Sequence, residues 1–234
     1  MPDGVAPVAS PGTILVAGAS RGIGREFVRQ LAAAGWSVHA TVRSEADIRP
    51  LEADCAGVHR LDIARDESIA ALAAAVSGLP FDAVLANAGI SGDLSLSSDA
   101  ITVDEMARVF ETNTFGPLLL MSALKPNLLA GRRRLALGMS SLMSSISSND
   151  WGEQHCYRAS KTALNATWRS LAEEWEPDGI SCVLLRPGFV RTDMTGHRGM
   201  AVEVSVAGMV AVIAGLSIAD TGRVIGYDGL DVPW

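Results

Sequence analysis

A tyrosine and a lysine four residues apart, Tyr157 and Lys161 in the stretch CYRASKTAL (156–164), are the residues whose type and spacing most directly suggest chemistry. On a helix, positions i and i+4 lie one above the other on the same face, so the phenol and the ammonium would point the same way. A neighbouring cation favours the phenolate and lowers the phenol's pKa. That makes the pair a candidate site for giving and taking a proton. The same spacing also describes an ordinary amphipathic surface pair, and the surrounding sequence has to decide between them.

A second candidate lies near the start. GASRGIG (18–24) stands between an apolar run, TILVAG (13–18), and a helical stretch, GREFVRQLAAAG (24–35). Gly18, Gly22 and Gly24 allow a tight turn in which backbone approaches a pyrophosphate, and the helix N-terminus favours the phosphate charge. Ser20, Arg21 and Ile23 complete the turn. The next strand-like run, WSVHATVR (36–43), ends without the acidic residue that would bind a ribose 2′-hydroxyl. It ends instead on Arg43, which with Arg21 would clamp a 2′-phosphate. The turn therefore predicts a dinucleotide, NADP(H) in preference to NAD(H).

The elements needed to position these groups follow from the alternation of apolar runs and helical stretches. Further strands are expected at GVHRLDI (57–63), FDAVLANAG (81–89), RLALGMSS (134–141), GISCVLLRPG (179–188) and around 223–225. Helices are expected over 66–78, from about 102 to 129 with Thr102-x-x-Glu105 as a capping box, over 155–176 ending at Pro177, and near 202–216. A short helix is expected within 45–53. Near-continuous apolar strands alternating with helices indicate a parallel sheet covered on both faces. With right-handed crossovers this is an α/β doubly wound Rossmann fold of about seven strands. Residues 13–234 form a single domain in this reading, and residues 1–12 a flexible tail.

Composition excludes several classes. The chain has 234 residues, 48% of them hydrophobic and 19% charged, which suits a large buried core. A net charge of −7 argues against a nucleic-acid partner. The one basic run, Arg132–Arg134, reads as a solvated turn before a strand. Three cysteines, Cys55, Cys156 and Cys182, match no zinc spacing and suit free thiols in the cytoplasm. The N-terminal residues lack the basic and apolar regions of a signal peptide. The apolar run 204–219 is shorter than the ~20 residues that span a bilayer, so it reads as a helix buried against the sheet. No histidine spacing suggests a metal site.

Taken in order, GASRGIG, Asp62 after the third strand, Asn87-Ala88-Gly89 after the fourth, Asn113 in ETNTFG, Ser140-Ser141 ending the fifth, YRASK and RPGFVRT make the chain resemble the short-chain dehydrogenase/reductases over nearly its whole length. The ending TGRVIGYDGLDVPW resembles the branch of C-factor-like and sniffer-like carbonyl reductases. The resemblance implies a catalytic set of Asn113, Ser141, Tyr157 and Lys161. Tyr157 would be the general acid or base, and Lys161 would lower its pKa and hold the nicotinamide ribose. Ser141 would bond the substrate oxygen, and Asn113 would hold a water linking Lys161 to solvent. It also implies that Asp62 and Ile63 contact adenine, that Asn87, Ala88 and Gly89 line the cofactor, and that Pro187, Val190 and Thr192 hold the nicotinamide.

Rival assignments remain on the sequence. Ser140 and Ser144 compete with Ser141. Asn113 would alternatively bond only backbone within a bent helix. Asp62 would otherwise cap a helix, a role that suits Asp66 better. Ala17 replaces the family's usual threonine before the glycine turn, which implies the loss of a supporting hydrogen bond but of no chemistry, and Ser144 stands where the branch often has glycine. The segment after Thr192 is short, so the site is expected to be open. His155 and His197 are candidates to touch substrate, and Met143, Trp151, Phe189 and Met194 are candidate pocket walls. The function implied is hydride transfer between NADP(H) and a small carbonyl or alcohol, with no nucleic-acid or membrane partner. A regulatory protein that binds NADP(H) is the alternative, and a sugar-nucleotide epimerase a weaker one. The family's habit of pairing its long helices implies a homodimer or homotetramer.

Overall fold

The computed structural model describes residues 11–234, so most of the tail expected over 1–12 lies outside the described residues. Seven strands form one wholly parallel sheet: β1 (Thr13–Ala17), β2 (Ser37–Val42), β3 (Gly57–Arg60), β4 (Ala83–Ala86), β5 (Leu135–Met139), β6 (Ser181–Arg186) and β7 (Val224–Gly226). Their spatial order is β3-β2-β1-β4-β5-β6-β7. The order reverses between β1 and its neighbours β2 and β4, which leaves a crevice at the carboxyl ends of those strands. There Ala17 sits in register with Thr41 on one side and Ala86 on the other.

The inner strands β1, β4, β5 and β6 are apolar and buried on both faces, as a parallel sheet covered by helices requires. In β1, Leu15 and Ala17 enter a core with α2 (Asp66–Ala75), α4 (Gly116–Ala130) and α5 (His155–Trp175), while Ile14 and Val16 enter a second core with α1 (Gly22–Ala33) and α6 (Val202–Gly215). Trp168 of α5 is fully buried in the first, and its indole N–H donates to the Ala136 carbonyl at 3.3 Å. A Cβ on Gly138 of β5 would lie 2.6 Å from the Leu184 side chain and 3.0 Å from the Trp168 ring. Glycine at this position therefore lets α5 approach β5 closely.

Several local expectations are corrected. The helix expected from about 102 to 129 is broken. Thr102 caps α3 (Val103–Phe110) by accepting from Glu105 N at 3.2 Å, but the Glu105 carboxylate does not complete the box; it accepts instead from Asp93 N. A π-helical turn, Glu111–Phe115, then separates α3 from α4. The extra residue of such a turn shifts α4 relative to α3, and within the turn Asn113 and Thr114 point inward. The stretch 45–53 forms two short 3₁₀ turns rather than one helix. Asp66 is the first residue of α2, not its cap, and Asp62 folds over its own loop by accepting from Ala64 N at 3.1 Å. Arg133 is not a solvated turn residue. It reaches the carbonyls of Ile213 and Ala214 at the end of α6, where a cation satisfies orphan acceptors. Among the described residues, no helix is long and apolar enough to cross a membrane.

One buried carboxylate ties three strands together. Asp82 accepts from Thr13 N at 2.9 Å, Arg132 N at 2.9 Å and Arg133 N at 3.2 Å. Burial alone pushes its pKa up, but these three donors and the Arg132 guanidinium outweigh burial and hold it below the ordinary value. A depressed carboxylate contributes stability above its unfolded pKa of ~3.9 and loses it as pH falls through the folded value. Asp82→Asn should therefore lower stability by about 1–3 kcal/mol at pH 7, because buried donors lose their acceptor. The deficit should start to shrink below pH ~4, where the unfolded chain takes up the proton first, and vanish once pH falls below the depressed folded value; denaturant unfolding at pH 7 and along a series below pH ~4 measures it.

Candidate active site

The glycine turn is built by close approach. Gly18 has φ +83°, and a Cβ there would lie 2.8 Å from the Cα of Ala88. A Cβ on Gly24 would lie 2.0 Å from the Gly18 carbonyl oxygen and 2.6 Å from Asn87 Nδ2. Asn87 locks the arrangement by donating to that carbonyl at 2.9 Å, and Ala88 N donates to Ala17 O at 2.9 Å. The support expected to be lost with Ala17 comes from the neighbouring strand, where Thr41 Oγ1 accepts from Gly18 N at 3.2 Å. Ser20, Arg21 and Gly22 stand exposed or partly exposed at the mouth of α1, beside Ile23. This is a cradle that side chains would fill, opening on the first-turn N–H groups of α1. It fits the pyrophosphate of a dinucleotide.

The rest of the crevice falls around this turn. Arg43 is exposed at the end of β2, with no ion-pair partner among the described residues. Arg21 does not lie free beside it: it pairs with Asp193 at 3.1 Å, across the crevice. Asp62 and Ile63 form the loop after β3, and the Ile63 carbonyl lies 2.3 Å from where a Cβ on Gly116 would be. Pro187, Val190 and Thr192 follow β6. Pro187 O accepts from the buried Ser205 Oγ at 2.6 Å, and Thr192 comes within 3.5 Å of a Cβ on Gly22. The segment after Thr192 folds back on itself through a bridge between Val190 and Met200.

Asn113, Ser141, Tyr157 and Lys161 converge beside Gly89. A Cβ on Gly89 would be 3.3 Å from Asn113 Oδ1 and 3.5 Å from Lys161 Nζ. Asn113 sits in the π turn, fully buried. Its Nδ2 donates to Ile90 O at 2.8 Å and Ser160 Oγ at 3.0 Å, and its Oδ1 accepts from Ile90 N at 2.9 Å. Lys161 Nζ donates to the Met139 carbonyl at 2.8 Å, at the end of β5, and lies 5.9 Å from the centre of the Tyr157 ring. Tyr157 is hydrogen-bonded to the Ser141 side chain.

The electrostatics differ from the simple expectation. Burial pushes the Tyr157 phenol above its ordinary pKa, and the Ser141 hydrogen bond opposes burial without cancelling it. Burial also pulls the Lys161 ammonium down to about 8. The phenol therefore stands above its ordinary value and not below it, with desolvation the largest cause for both groups.

Three serines within five residues are sorted by α5. Asn165, one turn beyond Lys161, accepts from Ser140 Oγ at 2.6 Å and donates to Ser144 Oγ at 2.9 Å. Ser140 and Ser144 are thereby buried in structural bonds, and Ser141 is left toward Tyr157. Asn165 was absent from the sequence-based site. Its only signal is the i+4 spacing from Lys161. His155 is exposed at the start of α5, and the exposed His197 lies 3.5 Å from Asp193. Trp151, Phe189 and Met194 are likewise exposed, while Met143 is partly covered.

Comparison with known proteins agrees with this arrangement. Residues 12–202 match the family model described as short chain dehydrogenase. The C-signal protein of Myxococcus xanthus is 41% identical over 156 residues, covering 66% of this chain and 93% of that protein. The NADPH-bound carbonyl reductase from chicken fatty liver superposes with a TM-score of 0.87 at 31% identity, covering 95% of this chain and 98% of the other. The carbonyl reductase Sniffer of D. melanogaster gives 0.84 at 28% identity, with 95% and 99% covered. With the strand order, the glycine cradle and the tyrosine–lysine helix in place, the chain belongs to the short-chain dehydrogenase/reductase family, on the side of it that resembles C-signal and the Sniffer-like carbonyl reductases.

Proposed function

We propose that this oxidoreductase uses NADP(H) to interconvert a small-molecule carbonyl compound and its alcohol, with Tyr157 as the proton donor and acceptor. The observation that carries the reading is the convergence of Ser141, Tyr157, Lys161 and Asn113 beside Gly89, next to a glycine cradle that fits a dinucleotide. NADP(H), when bound, supplies or accepts the hydride.

The chain's own groups handle the proton. A phenol with a raised pKa stays protonated at neutral pH, which suits donation to a carbonyl oxygen. The Ser141 hydroxyl bonds the same oxygen and stabilises charge that develops there. Lys161 uses one N–H on Met139 O and has two left for a ribose hydroxyl and a water. Asn113, across Gly89 from Lys161, has both amide hydrogens in use, so it meets that water only through the second lone pair of its Oδ1.

Selection of NADP(H) falls to Arg43 and Arg21. For Arg21 this means leaving Asp193, but an ion pair so exposed is worth only about 0–1 kcal/mol, less than a charge-assisted contact to a phosphate. The three free cysteines suit a reducing cytoplasm. Half-exposed Phe115 and Leu119, at the start of α4, suit pairing of two copies along that helix. A regulatory role with little turnover is the second reading, favoured by the 41% identity to a protein named C-signal. A panel of aldehydes, ketones and diketones with NADPH separates the two, since that role predicts tight NADPH binding with no turnover of any member.

Tyr157→Phe should lower turnover by about 100-fold or more, the usual size of general acid catalysis, while NADPH affinity stays within twofold. A mutant with wild-type turnover would remove Tyr157 from the mechanism. Arg43→Ala should weaken NADPH about tenfold or more and NADH hardly at all, as measured by fluorescence titration. Equal weakening of both would mean that Arg43 does not read the 2′-phosphate. Because Lys161 of the free chain is charged below about 8 and neutral above, kcat/KM for NADPH, which reports the free enzyme, should be flat below pH 8 and fall as pH rises through it. A profile without that limb would show that the lysine's charge is not needed.

A further inference from the structure

The loop from β5 to α5 holds Ser141 at its start and leads into the helix of Tyr157 at its end, so whatever fixes its path fixes both. Its first turn is held by α5, through Ser144 and Asn165 and through Thr162 Oγ1 donating to Ser144 O at 2.9 Å. Its far end is held by Arg158. The Nε of that arginine donates to Gly152 O at 3.0 Å and Glu153 O at 3.1 Å, and the guanidinium stacks 4.2 Å from the centre of the Trp151 ring.

The middle of the loop, residues 145–148, is held from the opposite end of the sequence. After β7 the chain doubles back: Ile225 and Asp231 form an antiparallel bridge, and Val232 N donates to Val224 O at 2.8 Å. Val232 is buried in the core that also contains Trp168 and Ala172 of α5, and Asp231 pairs with Arg223 at 2.9 Å. This strap is therefore fixed to the sheet edge and to α5. Two residues beyond Val232, the main-chain oxygen of Trp234 accepts from Ser147 N at 3.2 Å, Ser147 Oγ at 2.8 Å and Ser145 Oγ at 3.3 Å. Ser145 is itself almost fully buried and bonded to Ser148 Oγ at 3.1 Å. The serine run SSISS thus works as a socket, and the otherwise unassigned ending DGLDVPW supplies what it grips.

We propose that the strap over residues 227–234 is a positioning element of the substrate side. By holding Ser145 and Ser147 it keeps the β5–α5 loop ordered before substrate arrives, and with it the placement of Ser141. It also fixes two apolar groups at the loop's margin: Ile146, 73% exposed between the two serines, and the half-exposed Trp234. Ser145, Ser147 and the strap touch no reacting atom in this scheme; they act through the loop. A loop that is ordered only part of the time weakens apparent substrate affinity in proportion to the ordered fraction, while the bound complex still reacts normally. The kinetic consequence rests on the reductase reading, whereas the ordering of the loop does not.

The test compares the wild-type chain with three variants: Ser145→Ala/Ser147→Ala, which removes two donors; deletion of Pro233 and Trp234, which removes the acceptor and keeps both serines; and Ser147→Thr, which keeps the hydroxyl. Hydrogen–deuterium exchange over 143–150 should be about tenfold faster in the first two and unchanged in the third, since it reports local opening. Unchanged exchange in both the double mutant and the deletion overturns the proposal, whether or not any carbonyl is turned over. In an active enzyme, the first two variants should raise KM for the carbonyl about five- to tenfold with kcat within twofold, as a loss of pre-ordering requires. NADPH affinity should not move, and Ser147→Thr should match wild type. Faster exchange with wild-type KM would overturn the positioning role. Absence of turnover by the wild-type chain would defeat the reductase reading instead, and exchange would still decide whether the strap orders the loop.

Discussion

The hydrogen bond from Lys161 Nζ to the Met139 carbonyl, 2.8 Å long and buried, is the contact on which the site depends. It joins the middle of α5 to the end of β5, the two elements that carry Tyr157 and Ser141. An ammonium in a desolvated site keeps a charge only if its donors are used. A strand-end carbonyl, freed from the ladder where the sheet stops, meets that need. The same junction is reinforced by Asn165 holding Ser140 and Ser144, and by Gly138, whose missing side chain lets the Trp168 ring come close.

Burial then decides the protonation state. It raises the phenol and lowers the ammonium, so the cofactor-free site rests with a neutral tyrosine and a lysine near its titration point. At neutral pH both groups therefore keep their protons. The π turn at residues 111–115 serves the same geometry from the other side. It turns Asn113 inward, where both amide hydrogens and its oxygen are engaged, and so rigidifies the wall opposite Lys161.

Much of the fold and of the site was legible because it is local. The order of strand and helix comes from apolar runs whose length and flanking glycines and prolines leave few alternatives. GASRGIG, NAG and YRASK are each a few residues at a strand end or on one helix face, so spacing along the chain is close to spacing in space. The break in the long helix was not legible, because a π turn changes one hydrogen-bond register without a composition signal. Nor was the choice among Ser140, Ser141 and Ser144. Three serines in one short loop differ only in what faces them, and what faces them is Asn165, more than twenty residues on.

The sequence by itself therefore determined the parallel α/β sheet, the glycine turn and the tyrosine–lysine helix, since propensity, periodicity and backbone freedom act between near neighbours. Tertiary structure alone decided the electrostatics and the long-range ties. Arg21 meets Asp193 across 172 residues, Thr41 replaces the support that Ala17 lacks, Arg133 caps α6, and Trp234 reaches the serine loop. The pKa of Tyr157 belongs to this second group. A neighbour at i+4 suggests that the phenol is lowered, but the walls of the crevice shield it from water that would have stabilised the phenolate, and desolvation is the larger effect.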